Sequence, residues 1–228
     1  MRKIIFGIFA HPDDEAFGPS GTLLLETRAG SELHLITLTA GDAGTNPDNH
    51  ADLGKVRLKE WRTAGELMGA SSMHFLGYID GQLNNQIMIE VGQKIVELVT
   101  EIVKSADKNT SIEFMTNDLN GITGHIDHMV AARAACWAFY RLKDTDDRYE
   151  RIRLACVPKQ ALPKANTNWL YMEPGRTKND IGEVIDARHL RDDIIAIMRA
   201  HHTQRNDGES HIARNSENLG LNYFIVKS

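Results

Sequence analysis

The stretch at 4–10, Ile-Ile-Phe-Gly-Ile-Phe-Ala, is apolar without interruption, the pattern of a central strand buried on both faces. Shorter apolar runs at 33–39, 73–78, 111–115 and 153–157 predict four more strands. Between them apolar residues recur at helical spacing. The segment 21–29 closes at Gly30, and 54–68 carries Val56, Trp61, Ala64, Leu67 and Met68 before Gly69. Ile89, Ile95, Val96, Val99 and Val103 mark 87–103 as a long helix, and 127–142 reads as another. Strands alternating with helices predict an α/β chain with right-handed crossovers and a mostly parallel sheet. Beyond Pro158 the pattern loosens: 169–172 and 182–185 read as edge strands, 189–201 as a helix and 221–226 as a last strand after a polar tail. Neither a repeat nor a composition break divides the chain, so one domain over 1–228 is expected.

Composition narrows the class. The 228 residues are 42% hydrophobic and 25% charged, ordinary for a globular chain that buries a core without disulfides. A net charge of −5 offers no broad attraction for nucleic acid or anionic lipid, so neither is an expected partner. Cys136 and Cys156 lack metal-ligand spacing and read as free thiols in a reducing cytoplasm. No segment approaches the roughly 18 apolar residues of a membrane span, and 4–10 lacks the cleavage site of a signal peptide. A soluble, cytoplasmic protein is the expectation. No G-x-G-x-x-G turn follows the first strand and no Gly-rich Lys-Ser/Thr loop occurs, which disfavours dinucleotide and phosphate-loop chemistry.

Chemistry concentrates at two strand ends. His11-Pro12-Asp13-Asp14-Glu15 follows the first strand, where open parallel sheets bind ligands. Three carboxylates and an imidazole so close together repel one another unless a divalent cation pairs with them. The competing reading is a polar loop with an Asp helix cap. After the fourth strand comes Gly124-His125-Ile126-Asp127-His128, whose two histidines can face one side of a turn. If the fourth strand lies beside the first, His128 completes a His/Asp/His set with coordination left open for water. Otherwise His125 or His128 merely caps the helix.

Together these segments resemble the LmbE/PIG-L family of zinc-dependent N-deacetylases. Thr39-Ala40-Gly41-Asp42-Ala43-Gly44, Arg57 with Glu60, Gly77 with Asp80-Gly81, and Ala200-His201-His202-Thr203-Gln204 extend the likeness over most of the chain. The resemblance implies a Rossmann-like three-layer fold in which His11, Asp14 and His128 hold one Zn²⁺, with iron, cobalt or manganese as other metals such a set accommodates. It further implies that Asp13 is the general base and that His125 assists the oxyanion and leaving group, while Asp127 could orient His125 and favour its cationic form. The implied substrate is a small-molecule amino sugar losing its N-acetyl group, and a homo-oligomer is implied on the same ground alone. Ile126 stands where the family commonly has proline, and Thr203 where serine is usual. Hydrolysis of another amide or an ester, or a non-catalytic sugar-binding module, are the competing functions.

The outer residues are more open. Arg57 can fork onto sugar hydroxyls or a carboxylate, or be a helix charge paired with Glu60. Asp42 can touch substrate or simply turn the chain. The loops at 45–53, 79–86 and 161–168 are expected to shape the acceptor pocket. His34, His50, His74, His189 and His211 read as surface or packing residues, and Trp61 and Trp137 as core.

Overall fold

The structure, a computed structural model, describes residues 2–161 and 173–228. The strand predicted at 169–172, and nearly all of the loop predicted at 161–168, lie outside the described residues. In chain order the sheet is built from β1 (Lys3–Phe9), β2 (Glu32–Thr39), β3 (Ser72–Tyr78), β4 (Ser111–Asn117), β5 (Tyr149–Cys156), β6 (Glu183–Asp186) and β7 (Leu221–Lys227). Their spatial order is β3-β2-β1-β4-β5-β7-β6. The first five strands run parallel, and β7 pairs antiparallel with both β5 and β6. The helices are α1 (Asp14–Phe17), α2 (Ser20–Arg28), α3 (Leu53–Met68), α4 (Met88–Val103), α5 (Gly121–Gly124), α6 (Ile126–Lys143), α7 (Arg191–Ala200) and α8 (Arg205–Arg214).

The continuous apolar run of β1 serves two cores by alternation. Ile4, Phe6 and Ile8 pack with Val91, Ile95 and Val99 of α4 and Ala131, Ala135 and Phe139 of α6. Ile5 and Phe9 face the other way, against Leu23 of α2, Trp61 and Ala64 of α3 and Ile197 of α7. Helices therefore cover both faces, the three-layer Rossmann-like α/β arrangement that was expected. Burial of each such aliphatic or aromatic side chain contributes about 1.5–3 kcal/mol, so β1 is a firmly anchored, rigid mount for the residues that follow it.

Two elements differ from the sequence reading. β5 begins at Tyr149, four residues before the predicted start, because Glu150 and Arg151 disguise it. Arg153 is 1% exposed and its charge is met by Glu26 at 2.8 Å and Glu113 at 3.0 Å. The polar tail contains α8, which buries only Gly208 and Ile212 and so leaves almost no apolar stripe to read. Among the described residues no helix is long and apolar enough to cross a membrane.

Candidate active site

β1 and β4 are hydrogen-bonded neighbours, and the chain leaves them toward opposite sides of the sheet, with β2 and β3 on one and β5, β7 and β6 on the other. That reversal opens a crevice beyond their carboxyl ends, the usual ligand position in such sheets. The two chemistry-bearing segments meet there. Asp14 ends the strand by accepting the Ala10 and His11 N–H groups on Oδ2, at 3.1 and 3.0 Å. Its other oxygen, Oδ1, lies 3.1 Å from His128 Nε2, and His128 Nε2 lies 3.1 Å from His11 Nδ1. His128 is oriented through Nδ1, 3.1 Å from the Gly121 carbonyl.

The far side of the His11 ring is equally ordered. Its Nε2 sits 2.9 Å from Asp80 Oδ1 and 3.3 Å from Asp127 Oδ2. Both carboxylates are also held by backbone: the Ala43 N–H donates to Asp80 Oδ2 and the Gly81 N–H to Asp127 Oδ2, each at 2.8 Å. Burial by itself would lower the His11 pKa, but hydrogen bonds to Asp127 and Asp80 and the charge of Asp14 outweigh it and push it up to about 10. Burial likewise opposes ionisation of Asp14, yet the His128 and His11 imidazoles and the two N–H donors hold its carboxyl below the ordinary range.

Asp13 lies between these groups and a buried cation. Its backbone is at φ 112 and ψ −25, a left-handed conformation that costs a non-glycine residue on the order of 1–3 kcal/mol. The side chain keeps 15% exposure, and its Oδ2 accepts from Arg57 Nη2 at 2.7 Å. Burial raises the carboxyl, Arg57 opposes and Asp14 adds, and the balance pushes it up to about 7. A base poised there is matched to neutral pH. Arg57 also donates to the carbonyls of Pro12 and Gly41, both at 2.6 Å. Gly41 has φ +68, and a Cβ there would fall 2.5 Å from the Arg57 guanidinium carbon, so the glycine lets the loop close over it.

The family described as "PIG-L: GlcNAc-PI de-N-acetylase" matches residues 6–140, more than half of the chain and both of these segments. The chain belongs to the PIG-L family. Over 209 residues it is 29% identical to the probable N-acetyl-alpha-D-glucosaminyl L-malate deacetylase 2 of Bacillus cereus, an alignment covering 90% of this chain and 84% of that protein. Two solved structures share the fold at low identity. The N,N'-diacetylchitobiose deacetylase of Pyrococcus horikoshii aligns with a TM-score of 0.65 at 17% identity, over 99% of this chain and 83% of that one. The 4-carboxy-2-hydroxymuconate hydratase of Pseudomonas putida aligns with 0.66 at 16%, over 100% and 97%. Deacetylase and hydratase fit equally well, so the fold alone does not select the reaction.

Within this PIG-L site the donor set fits a tetrahedral divalent metal. Ligand nitrogens and oxygens about 2.0–2.1 Å from zinc lie about 3.3 Å apart, close to the 3.1 Å from His128 Nε2 to His11 Nδ1 and to Asp14 Oδ1; from His11 Nδ1 the Asp14 carboxylate is reached at 3.8 Å, through Oδ2. Among the described residues, the groups of three whose donor atoms all cluster closely enough for an ion are His11, His125 and His128, and His11, Asp80 and Asp127; Asp14 is in neither. Asp80 and Asp127 are satisfied by backbone N–H donors and by His11 Nε2, which leaves Nδ1 as the free nitrogen of the ring. Carboxylates on the far nitrogen of a ligating histidine fix its tautomer and raise its basicity.

Three placements depart from the sequence reading. The Asp127 carboxylate contacts His11 and Gly81 rather than orienting His125. Only its backbone N–H reaches His125, donating to Nδ1 at 3.2 Å in a helix cap. Burial, with His128 and His11 nearby, lowers the His125 pKa, so the cationic form is not favoured; with Nδ1 accepting, the neutral ring carries its proton on Nε2. Arg57 is 4% exposed and committed to protein groups, so it is neither a free substrate clamp nor a partner of Glu60. Glu60 instead accepts from Thr203, from N at 2.9 Å and Oγ1 at 2.7 Å, a bond that the serine usual in the family could also supply.

Asp42 is exposed, as a substrate contact or a turn residue would be. It lines a groove of about 590 Å³ with Lys55, Leu58, Phe75 and Ile79, between α3 and the edge strand β3. None of His11, Asp14, His125 or His128 lines that groove. Asp80 is the residue that sequence reasoning quoted without giving it a role. Its signal was its position just beyond a strand's carboxyl end, followed by a glycine.

Proposed function

We propose that this chain is a metal-dependent N-deacetylase that removes the acetyl group from an N-acetylglucosamine-type substrate. What supports the reading is one juxtaposition: His128 Nε2 stands 3.1 Å from both His11 Nδ1 and Asp14 Oδ1, beside an Asp13 carboxyl poised near neutrality. Membership of a de-N-acetylase family and likeness to a deacetylase acting on an N-acetylglucosaminyl malate support the substrate class. Zinc held by His11, Asp14 and His128 would lower the pKa of a bound water toward about 7 and polarise the acyl carbonyl.

The protein's own groups supply the rest. Asp13 has one oxygen fixed by Arg57, and its Oδ1 takes the proton of the attacking water. His125, with its proton on Nε2, donates a hydrogen bond to the oxygen that gains charge in the tetrahedral intermediate. An amine is a poor leaving group until protonated, and Asp13, having gained a proton, is the acid within reach of the same centre. His11 is kept in one tautomer throughout by Asp80 and Asp127.

The test is free-amine release from a panel of N-acetylglucosamine conjugates by chelator-treated protein, with and without restored zinc. Zinc-dependent release is expected. Absence of release from every conjugate by protein that demonstrably holds zinc would sink the substrate assignment.

A further inference from the structure

Behind Asp13 lies a buried pair that the chemistry above does not use. Glu15 and His201 are both fully buried, with His201 Nε2 2.9 Å from Glu15 Oε1. The other Glu15 oxygen, Oε2, accepts the backbone N–H of Asp13 at 3.2 Å. His201 follows α7, outside the family-matched residues 6–140. Two residues on, Thr203 is tied to Glu60 of α3, and one turn earlier on α3 stands Arg57, bonded to the Asp13 side chain. The contacts form a closed circuit: Asp13 to Arg57, along α3 to Glu60, across to Thr203, back to His201, then Glu15 and the Asp13 N–H.

Such a circuit is costly if it only fills space. Taking an acid and an imidazole wholly out of water is penalised, and an apolar pair of the same volume is often at least as stable. His201 Nδ1 moreover has no hydrogen-bond partner among the described residues. What the circuit supplies is restraint. Asp13 is held in a left-handed backbone conformation, and such residues persist where their surroundings over-determine them.

We propose that Glu15 and His201 are positioning residues that hold the Asp13 backbone so that its carboxylate faces the reacting water; this rests on Asp13 being the base. A misplacement of about 1 Å at a reacting group can cost about 100-fold, so Glu15→Ala should lower kcat by at least about ten-fold. KM should stay within about two-fold and zinc content per chain should be unchanged. Glu15→Gln keeps an acceptor for the Asp13 N–H and should recover most of the loss. A residue acting through Asp13 adds nothing once Asp13 is disabled, so Glu15→Ala in an Asp13→Asn background should have no further effect.

If Glu15→Ala yields no folded protein, His201→Leu and His201→Gln carry the same comparison, the glutamine able to donate to Glu15. A crystal structure of the zinc-loaded variant gives a readout independent of turnover: the Asp13 φ should leave the left-handed region and the Arg57–Asp13 contact should lengthen. Equal fractional losses in the wild-type and Asp13→Asn backgrounds, or wild-type kcat with an unmoved Asp13, overturn the proposal. Asp13→Asn retaining near-normal turnover overturns the role of Asp13 itself, and this inference with it.

Discussion

Replacing Arg57 by methionine keeps the length of the side chain and removes three charge-assisted hydrogen bonds, to Gly41, Pro12 and Asp13. The guanidinium is 4% exposed, so water cannot replace those bonds unless the loop opens. Deleting one partner of a buried ion pair costs about 3–5 kcal/mol, and the 15% exposure left to the Asp13 side chain argues for the lower part, about 3–4 kcal/mol. For a chain of this length each kcal/mol shifts Tm by about 2–4 °C, which gives a fall of about 6–16 °C. Arg57→Lys keeps the charge but cannot fork, and should recover about half of the loss. Calorimetry on both variants, with kcat and KM measured separately, is the assay. kcat should fall, because Asp13 loses the contact that fixes one of its oxygens, while KM moves little. A Tm within about 2 °C of wild type together with a KM raised about ten-fold would refute the reasoning and return Arg57 to substrate binding.

Other outcomes follow from the same geometry. Asp13→Asn should retain zinc, measured by elemental analysis, while turnover drops about 100-fold or more. His128→Ala should lower the zinc bound per chain, and unchanged metal content would remove it from the ligand set. Asp80→Ala leaves His11 Nε2 only its longer 3.3 Å contact to Asp127 and should weaken zinc affinity by about 10-fold in a competitive chelator titration. Burial alone would raise the Glu26 carboxyl, but Arg153 and Lys3 outweigh it and hold it below the ordinary 4.5. Its stabilising contribution is therefore present above that value and lost as pH falls through the lower folded one. Arg153→Met should flatten that acid limb of the denaturation profile, and a limb of wild-type steepness would contradict the pairing.

How much of this was legible in the sequence depended on whether the signal was local. The β1 run, the helix 87–103 and the edge strand near 182–185 declared themselves because burial imposes a period on neighbouring residues. The residue types of the two strand-end segments pointed to a candidate metal site for a similar reason: carboxylates and imidazoles gathered in a few neighbouring positions are the donors a divalent cation takes. The start of β5 and all of α8 were obscured because what stabilises them is far away in the chain, Glu113 and Glu183 for Arg151 and neighbouring helices for a mostly polar α8.

Partner choice was the part that only the tertiary structure decided. A sequence fixes which groups a residue carries, and short spacing fixes which neighbours share a turn. It does not fix which of several carboxylates an imidazole faces across 70 or 190 residues. Asp127 turning to His11, Arg57 closing on Asp13, Asp80 reaching His11 and His201 reaching Glu15 are all such long-range choices. Each is set by how β1, β3, β4, α3 and α7 pack around one crevice, because a buried charge takes whichever partner the packing brings within hydrogen-bond reach.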